Sequence, residues 1–159
     1  SAKVGVGPMA AVAGVFAEFV GKELLQFSEE VIVENGGDIF LKLTKTRLIG
    51  IYAGNSPYSG KLALKIEPED TPLGVCTSSG TVGHSLSFGK ADAAMILSPS
   101  AALADAAATA VGNLVKTPDD LERAINFIRE VPGITGVGLI IGDKMAVWGK
   151  INLVRSEIS

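Results

Sequence analysis

From Gly74 to Ser85 the chain reads Gly-Val-Cys-Thr-Ser-Ser-Gly-Thr-Val-Gly-His-Ser, and this stretch holds the one cysteine and the one histidine of 159 residues. Hydroxyls and glycines fill the interval between Cys76 and His84. Short hydroxyl side chains and unshielded Gly backbone offer many hydrogen-bonding groups with little bulk, which suits close approach to a polar ligand. The stretch is therefore expected to line a site. Cys76 could serve there as a nucleophile or sulfur carrier if nearby positive charge or a helix N-terminus lowered its pKa. His84 could act as its base or as a general acid. The competing reading is a buried, inert thiol, the commoner fate of a single Cys. No Cys-x-x-Cys, second His or zinc spacing is present, which excludes a His/Cys metal site within one chain.

Two other groups could do chemistry. Asp105 and Thr109 lie four apart in Ala101-Ala102-Leu103-Ala104-Asp105-Ala106-Ala107-Ala108-Thr109-Ala110, so a helix puts them on one face. A carboxylate and a hydroxyl among small apolar neighbours form an oxygen donor pair suited to Mg²⁺, which takes few protein ligands and completes its shell with water and phosphate. Alternatively Asp105 answers the helix dipole and Thr109 bonds back to a carbonyl, and from the pair alone that second reading is favoured. Asn35-Gly36-Gly37-Asp38 reads first as a turn with positive φ angles. In a site, its Gly amides would approach a ligand and Asp38 would accept from ribose hydroxyls or ring N–H groups. Gly5-Val6-Gly7-Pro8-Met9-Ala10 formally fits a dinucleotide fingerprint, yet no strand precedes it in the chain and Pro8 removes an amide. A tight helix start is its default reading, with anion binding at the helix end as the alternative.

These groups need elements to hold them. Pro8 to Phe27 is expected to be a helix burying Met9, Val12, Phe16, Phe19/Val20, Leu24 and Phe27, with Glu18, Lys22 and Gln26 as its solvent stripe. Strands are expected at Glu29–Glu34, Ile39–Leu43, Leu48–Ala53, Leu62–Ile66 and Ala91–Leu97. Ser98-Pro99 should open a second helix running to about Val115, with Ser98 as its N-cap. A third should begin at Thr117-Pro118-Asp119-Asp120, where Thr117 and Asp120 occupy capping-box positions, and end at Pro132-Gly133. A hairpin follows, Val137–Ile141 and Met145–Trp148 around Gly142-Asp143, then a last strand at Ile151–Val154. This order describes an α+β domain, a mixed or antiparallel sheet packed with helices.

Composition narrows the function classes. With 47% hydrophobic and 19% charged residues, the chain suits one compact domain with a substantial core. The net charge is −3 and no basic cluster occurs, which disfavours nucleic acid as a partner. The apolar run from Val4 to Ala17 ends at Glu18 and Lys22, too short to span a membrane, and it continues as an amphipathic helix rather than a cleavage site. A lone cysteine fits a reducing cytoplasm.

Taken in order, Val6 to Gly14, Val33 to Ile39, Gly74 to Gly89 and Ala104 to Ala110 resemble the ApbE superfamily, the relatives of flavin transferases, and within it a branch of small archaeal and bacterial proteins. The resemblance implies an ApbE-like layered domain that binds a small polar or phosphorylated ligand. It also implies Mg²⁺ on Asp105, Thr109 and a backbone carbonyl near Ala10 or Ala11. FAD or FMN would be held by Asn35, Gly36, Gly37 and Asp38 together with Thr77, Ser78, Ser79, Gly80 and Thr81. In the transferases an FMN group passes from FAD to a protein hydroxyl, and His84 matches the histidine before their Asp-Pro element. Here Ser85-Leu86-Ser87-Phe88 follows His84, and Ala13 stands where the transferases carry Lys. Both departures argue against transfer. Cys76 is a trait of the small branch, some of whose archaeal members are linked to sulfide assimilation and homocysteine formation, so sulfur handling through an accessible, low-pKa Cys76 is the alternative. A non-catalytic binding or scaffold protein is the third reading. The resemblance further implies that the family's N-terminal portion is not represented, which would leave a sheet edge for a second copy to cover in a homo-oligomer.

Overall fold

The computed structural model describes residues 4–82 and 87–156. In chain order the elements are α1 (Val12–Leu24), β1 (Val31–Asn35), β2 (Asp38–Lys42), β3 (Arg47–Gly50), β4 (Leu62–Ile66), β5 (Leu73–Ser78), β6 (Ala93–Ser98), α2 (Ala101–Leu114), α3 (Leu121–Arg129), β7 (Gly136–Ile141), β8 (Lys144–Gly149) and β9 (Leu153–Arg155). Six strands form one sheet in the order β1-β2-β5-β6-β7-β8, and β3-β4-β9 form a second. Every pairing is antiparallel. The fold is α+β, as the element order predicts.

Three layers follow from which way the strand residues point. Alternate side chains leave opposite faces of a strand. In the central sheet Phe40, Cys76, Ala94, Ile96, Val137 and Leu139 pack with α1, α2 and α3 into one core. Their strand neighbours Leu41, Val75, Ala93, Met95, Leu97 and Ile140 pack with Leu64 and Ile66 of the small sheet into another. A sheet covered on both sides needs continuous apolar strands. Accordingly, all six residues of β6 are buried.

Glycine sets the spacing of the helical layer. A Cβ on Gly14 would lie 2.4 Å from the Ala101 carbonyl oxygen, and one on Gly74 would lie 2.4 Å from the Ala101 Cα. Helix α2 is thus seated against both α1 and β5 at distances only hydrogen permits. The two helices also cap each other. Asp105 of α2 accepts the Gly14 amide at the start of α1 (2.8 Å). In return Glu18 of α1 accepts the Ala102 amide (3.1 Å) and the Ser100 hydroxyl (3.0 Å) at the start of α2. Each carboxylate satisfies donors that a helix end leaves orphaned.

Several expectations are corrected. Helix α1 buries Gly14, Ala17 and Gly21, not the large residues, and a 3₁₀ turn at Pro8–Ala11 precedes it. Met9, Val12, Phe16, Phe19, Leu24 and Phe27 are all exposed, because the small face approaches α2 and Phe40 more closely than a large one could. Glu18 belongs to the α2 cap rather than to a solvent stripe. Ser100, not Ser98, is the N-cap of α2, its hydroxyl accepting the Leu103 amide. Ser98 ends β6 and takes the Ser100 amide. The Gly74–Ser78 part of the opening stretch is a central strand. The Thr117/Asp120 capping box and the two-residue Gly142-Asp143 hairpin turn form as predicted.

Candidate functional site

Three separate segments meet at one end of the central sheet. The first is the β1–β2 turn, where Gly36 (φ 64°) and Gly37 (φ 98°) adopt angles that side chains resist. Glu34 accepts the Gly37 amide (2.8 Å) and holds the turn. The second is β5, whose register with β2 sets Cys76 opposite Asp38. Paired residues of an antiparallel ladder share a face, so the acid and the thiol point to the same, helical side. The third is α2, which carries Asp105 and Thr109 over that side.

Two hollows open between these segments. One, of about 670 Å³, is lined by residues of both sheets and of α2. The β1–β2 turn, Thr77, Ser78 and Ser79 supply its polar wall, and Ile49, Ile51, Tyr52, Val75 and Met95 supply much of its apolar wall. The other, of about 620 Å³, lies between α2 and the start of α1, beside Gly5, Gly7, Ala10 and Asn113. Asp38, Asp105 and Thr109 line both. They form the partition between the two hollows.

The electrostatics are those of crowded acids. Asp38 is 8% exposed. Burial, and then the neighbouring Asp105 charge, push its carboxyl up to about 7. Burial also raises Asp105, while the Gly14 and Ala13 amides oppose the rise. Glu34 adds a third acid to the wall, and among the described residues neither hollow has a Lys or Arg in its lining. An anionic ligand entering here meets repulsion unless a cation accompanies it.

The donor set suits a hard cation. Asp105 and Thr109 offer carboxylate and hydroxyl oxygens on one helix face, and Ala10 lines the same hollow. Among the described residues Thr109 makes no side-chain hydrogen bond, to a backbone carbonyl or to any other group. No group of three or more His, Cys, Asp or Glu side chains among the described residues could hold a metal ion. A bound cation would therefore lean on hydroxyl, carbonyl, water or ligand oxygens, the arrangement Mg²⁺ accepts.

The structure gathers some expected site residues and gives others different work. Gly36, Gly37, Asp38, Thr77, Ser78, Ser79, Asp105, Thr109 and Ala10 line the hollows. Asn35 and Ala11 do not; Ala11 is buried. Gly80 is required by packing, since a Cβ there would lie 2.2 Å from the Gly89 carbonyl oxygen. Thr81 donates to Asp92 (2.7 Å), which also takes the Gly142 amide (2.7 Å), so it ties a loop to the β7–β8 turn. His84 lies outside the described residues. The accessible, low-pKa thiol required for sulfur handling is corrected: Cys76 is fully buried, donates to the Ala101 carbonyl (3.3 Å), and burial with Asp38 and Asp105 nearby pushes its pKa above the ordinary thiol range. The apolar wall has no signature in the sequence. Tyr52, Ile49 and Met95 carry no local motif, and only their convergence in space marks them.

No helix among the described residues is long and apolar enough to cross a membrane. A family model described as AbpE bacteria matches residues 1–130. A UPF0280 protein of Methanocella arvoryzae is 49% identical over 160 residues, covering 99% of this chain and 65% of its own length. One of Methanosarcina acetivorans is 45% identical over 158 residues, covering 98% of this chain and 62% of its own. The chain thus spans a little under two thirds of these relatives. The crystal structure of the apo form of Pseudomonas stutzeri flavinyl transferase ApbE shares the fold, with a TM-score of 0.56 at 18% identity over 88% of this chain and 47% of that one. With 130 residues matched by the family model and an ApbE-like arrangement of sheets and helices, this chain belongs to the AbpE bacteria family.

Proposed function

We propose that the adjoining hollows bind a phosphorylated small molecule of the flavin-nucleotide class, and that Asp105 and Thr109 would hold a Mg²⁺ ion that offsets its phosphate charge. The observation that carries this reading is the partition itself. Asp38, Asp105 and Thr109 come from two distant parts of the chain and line both hollows. The acidic lining supports the metal, because a phosphate would be repelled without a bridging cation. When bound, Mg²⁺ supplies the positive charge that offsets a phosphate or diphosphate. Asp38 would accept a hydrogen bond from a ribityl or ribose hydroxyl or a ring N–H. The Gly36-Gly37 backbone, Thr77, Ser78 and Ser79 would contact the polar parts of the same ligand.

Binding comes first in this reading and FMN transfer second, since Ser85-Leu86 stands in place of the Asp-Pro element and Ala13 in place of Lys. The test is a titration of FMN and FAD into the chain by calorimetry, in Mg²⁺ and then in EDTA. Saturable binding in Mg²⁺ that EDTA abolishes is expected. Failure of both nucleotides to bind in Mg²⁺ overturns the reading. Adding a Thr-containing acceptor peptide to the FAD sample tests transfer separately: the Thr oxygen would bond the FMN phosphorus, the P–O–P link of FAD would break to release AMP with the Thr proton, and the peptide would gain the mass of FMN less one water.

A further inference from the structure

We propose that Tyr52 selects the ligand of this site, its ring being the surface on which a flat heteroaromatic group stacks. The inference rests on the phosphate-and-cation reading above and adds to it the residue that recognises the other end of the ligand.

Tyr52 lines the larger of the two hollows, yet it is 68% exposed. An exposed aromatic is unremarkable on a mobile loop, but this backbone is pinned on both sides. Ile51 and Ala53 are buried at 5% and 0% exposure, so the chain alternates inward, outward, inward through Tyr52. The Ile51 amide donates to Leu62 (3.0 Å), and the Ile51 carbonyl accepts from Gly60 (2.9 Å). The Ala53 amide donates to the Ser59 hydroxyl (3.0 Å). The fold therefore holds the Tyr52 backbone in place beside the hollow and leaves the residue largely exposed. A backbone held in this way loses little freedom when a ligand covers its side chain.

The lining of the hollow decides the ligand class. Part of it is apolar, built from Ile49, Val75 and Met95. The acids and hydroxyls that suit phosphate and ribose belong to the rest, on the β1–β2 turn, β5 and α2. A ligand with a planar ring at one end and a phosphate at the other matches that polarity. Inorganic phosphates and sugar phosphates would fill only the polar part. Stacking on an aromatic side chain is tolerant of ring identity, so Tyr52 selects for flatness and not for one heterocycle.

The experiment compares the chain with its Tyr52→Ala and Tyr52→Phe variants, each titrated in Mg²⁺ with FMN and, separately, with inorganic pyrophosphate. Tyr52→Ala should weaken FMN roughly tenfold (about 1.4 kcal/mol) while leaving pyrophosphate unchanged. Tyr52→Phe should bind both as the unaltered chain does. Equal weakening of both probes, or unchanged FMN binding in Tyr52→Ala, overturns the proposal. If the unaltered chain binds pyrophosphate but not FMN, the stacking role falls while the metal–phosphate site stands. Failure to bind either probe removes both readings.

Discussion

Substituting Asp38 by Asn should make the protein more stable and remove a pH dependence. Asp38 is a buried acid whose carboxyl is pushed from 3.8 to about 7 in the folded chain. Between those values the folded state holds a proton that the unfolded state has lost. Stability must therefore fall as the pH rises through that window and level off above about 7. A gap of roughly three pH units corresponds to about 4 kcal/mol. Asn keeps the shape without the charge, so Asp38→Asn should match the unaltered chain near pH 4 and exceed it by up to about 4 kcal/mol at pH 8. For a chain of this size that difference is on the order of 10 °C in melting temperature. Urea unfolding of both proteins from pH 4 to 8 measures it, and the difference between them cancels the groups they share. Parallel stability curves would mean that Asp38 ionises freely in the folded chain, against the burial seen here. The same substitution should weaken FMN binding, the usual exchange of stability for function where a charged group is kept in a costly place.

Two further outcomes follow from the packing. Gly14→Ala should destabilise the chain by about 1–3 kcal/mol, measured by urea unfolding, even though Ala favours an exposed helix interior by about 1 kcal/mol; the new Cβ would lie 2.4 Å from the Ala101 carbonyl oxygen, and a more stable variant would contradict the close helix contact. Cys76 should resist iodoacetamide at pH 8 in the folded chain and react on addition of denaturant, since its thiol is fully buried with a raised pKa; stoichiometric labelling of the native protein would return sulfur chemistry to consideration.

What could be read from the sequence depended on whether the signal was local. The Gly36-Gly37 pair announces a tight turn, and Thr117 with Asp120 announces a helix start, because each is set by a few neighbouring residues. The hydroxyls after Cys76 were legible as a polar wall, and Asp105 with Thr109 as one helix face. Which face of α1 turns inward was not legible. The helix is apolar nearly all round, so periodicity cannot separate the faces, and the inward one is chosen by how closely Gly14, Ala17 and Gly21 let α2 and β2 approach. The strand at Leu73–Ser78 was obscured because its Gly74 reads as a loop residue, when its purpose is to admit Ala101. The apolar side of the site was also hidden. Ile49 and Tyr52 reach the hollow only because β3 pairs with β4, and β4 with β9 near the end of the described chain. Asp92, which joins Thr81 to Gly142, depends on a similar long-range closure.

The most direct test of a shared site is paramagnetic broadening of backbone amide NMR signals by Mn²⁺, which occupies the same oxygen sites as Mg²⁺, added with FMN. Gly37, Thr77 and Thr109 should broaden together at substoichiometric Mn²⁺ and recover when excess Mg²⁺ is added. Broadening confined to exposed acids such as Glu69, Asp119 and Glu130, with those three signals untouched, would contradict a shared site.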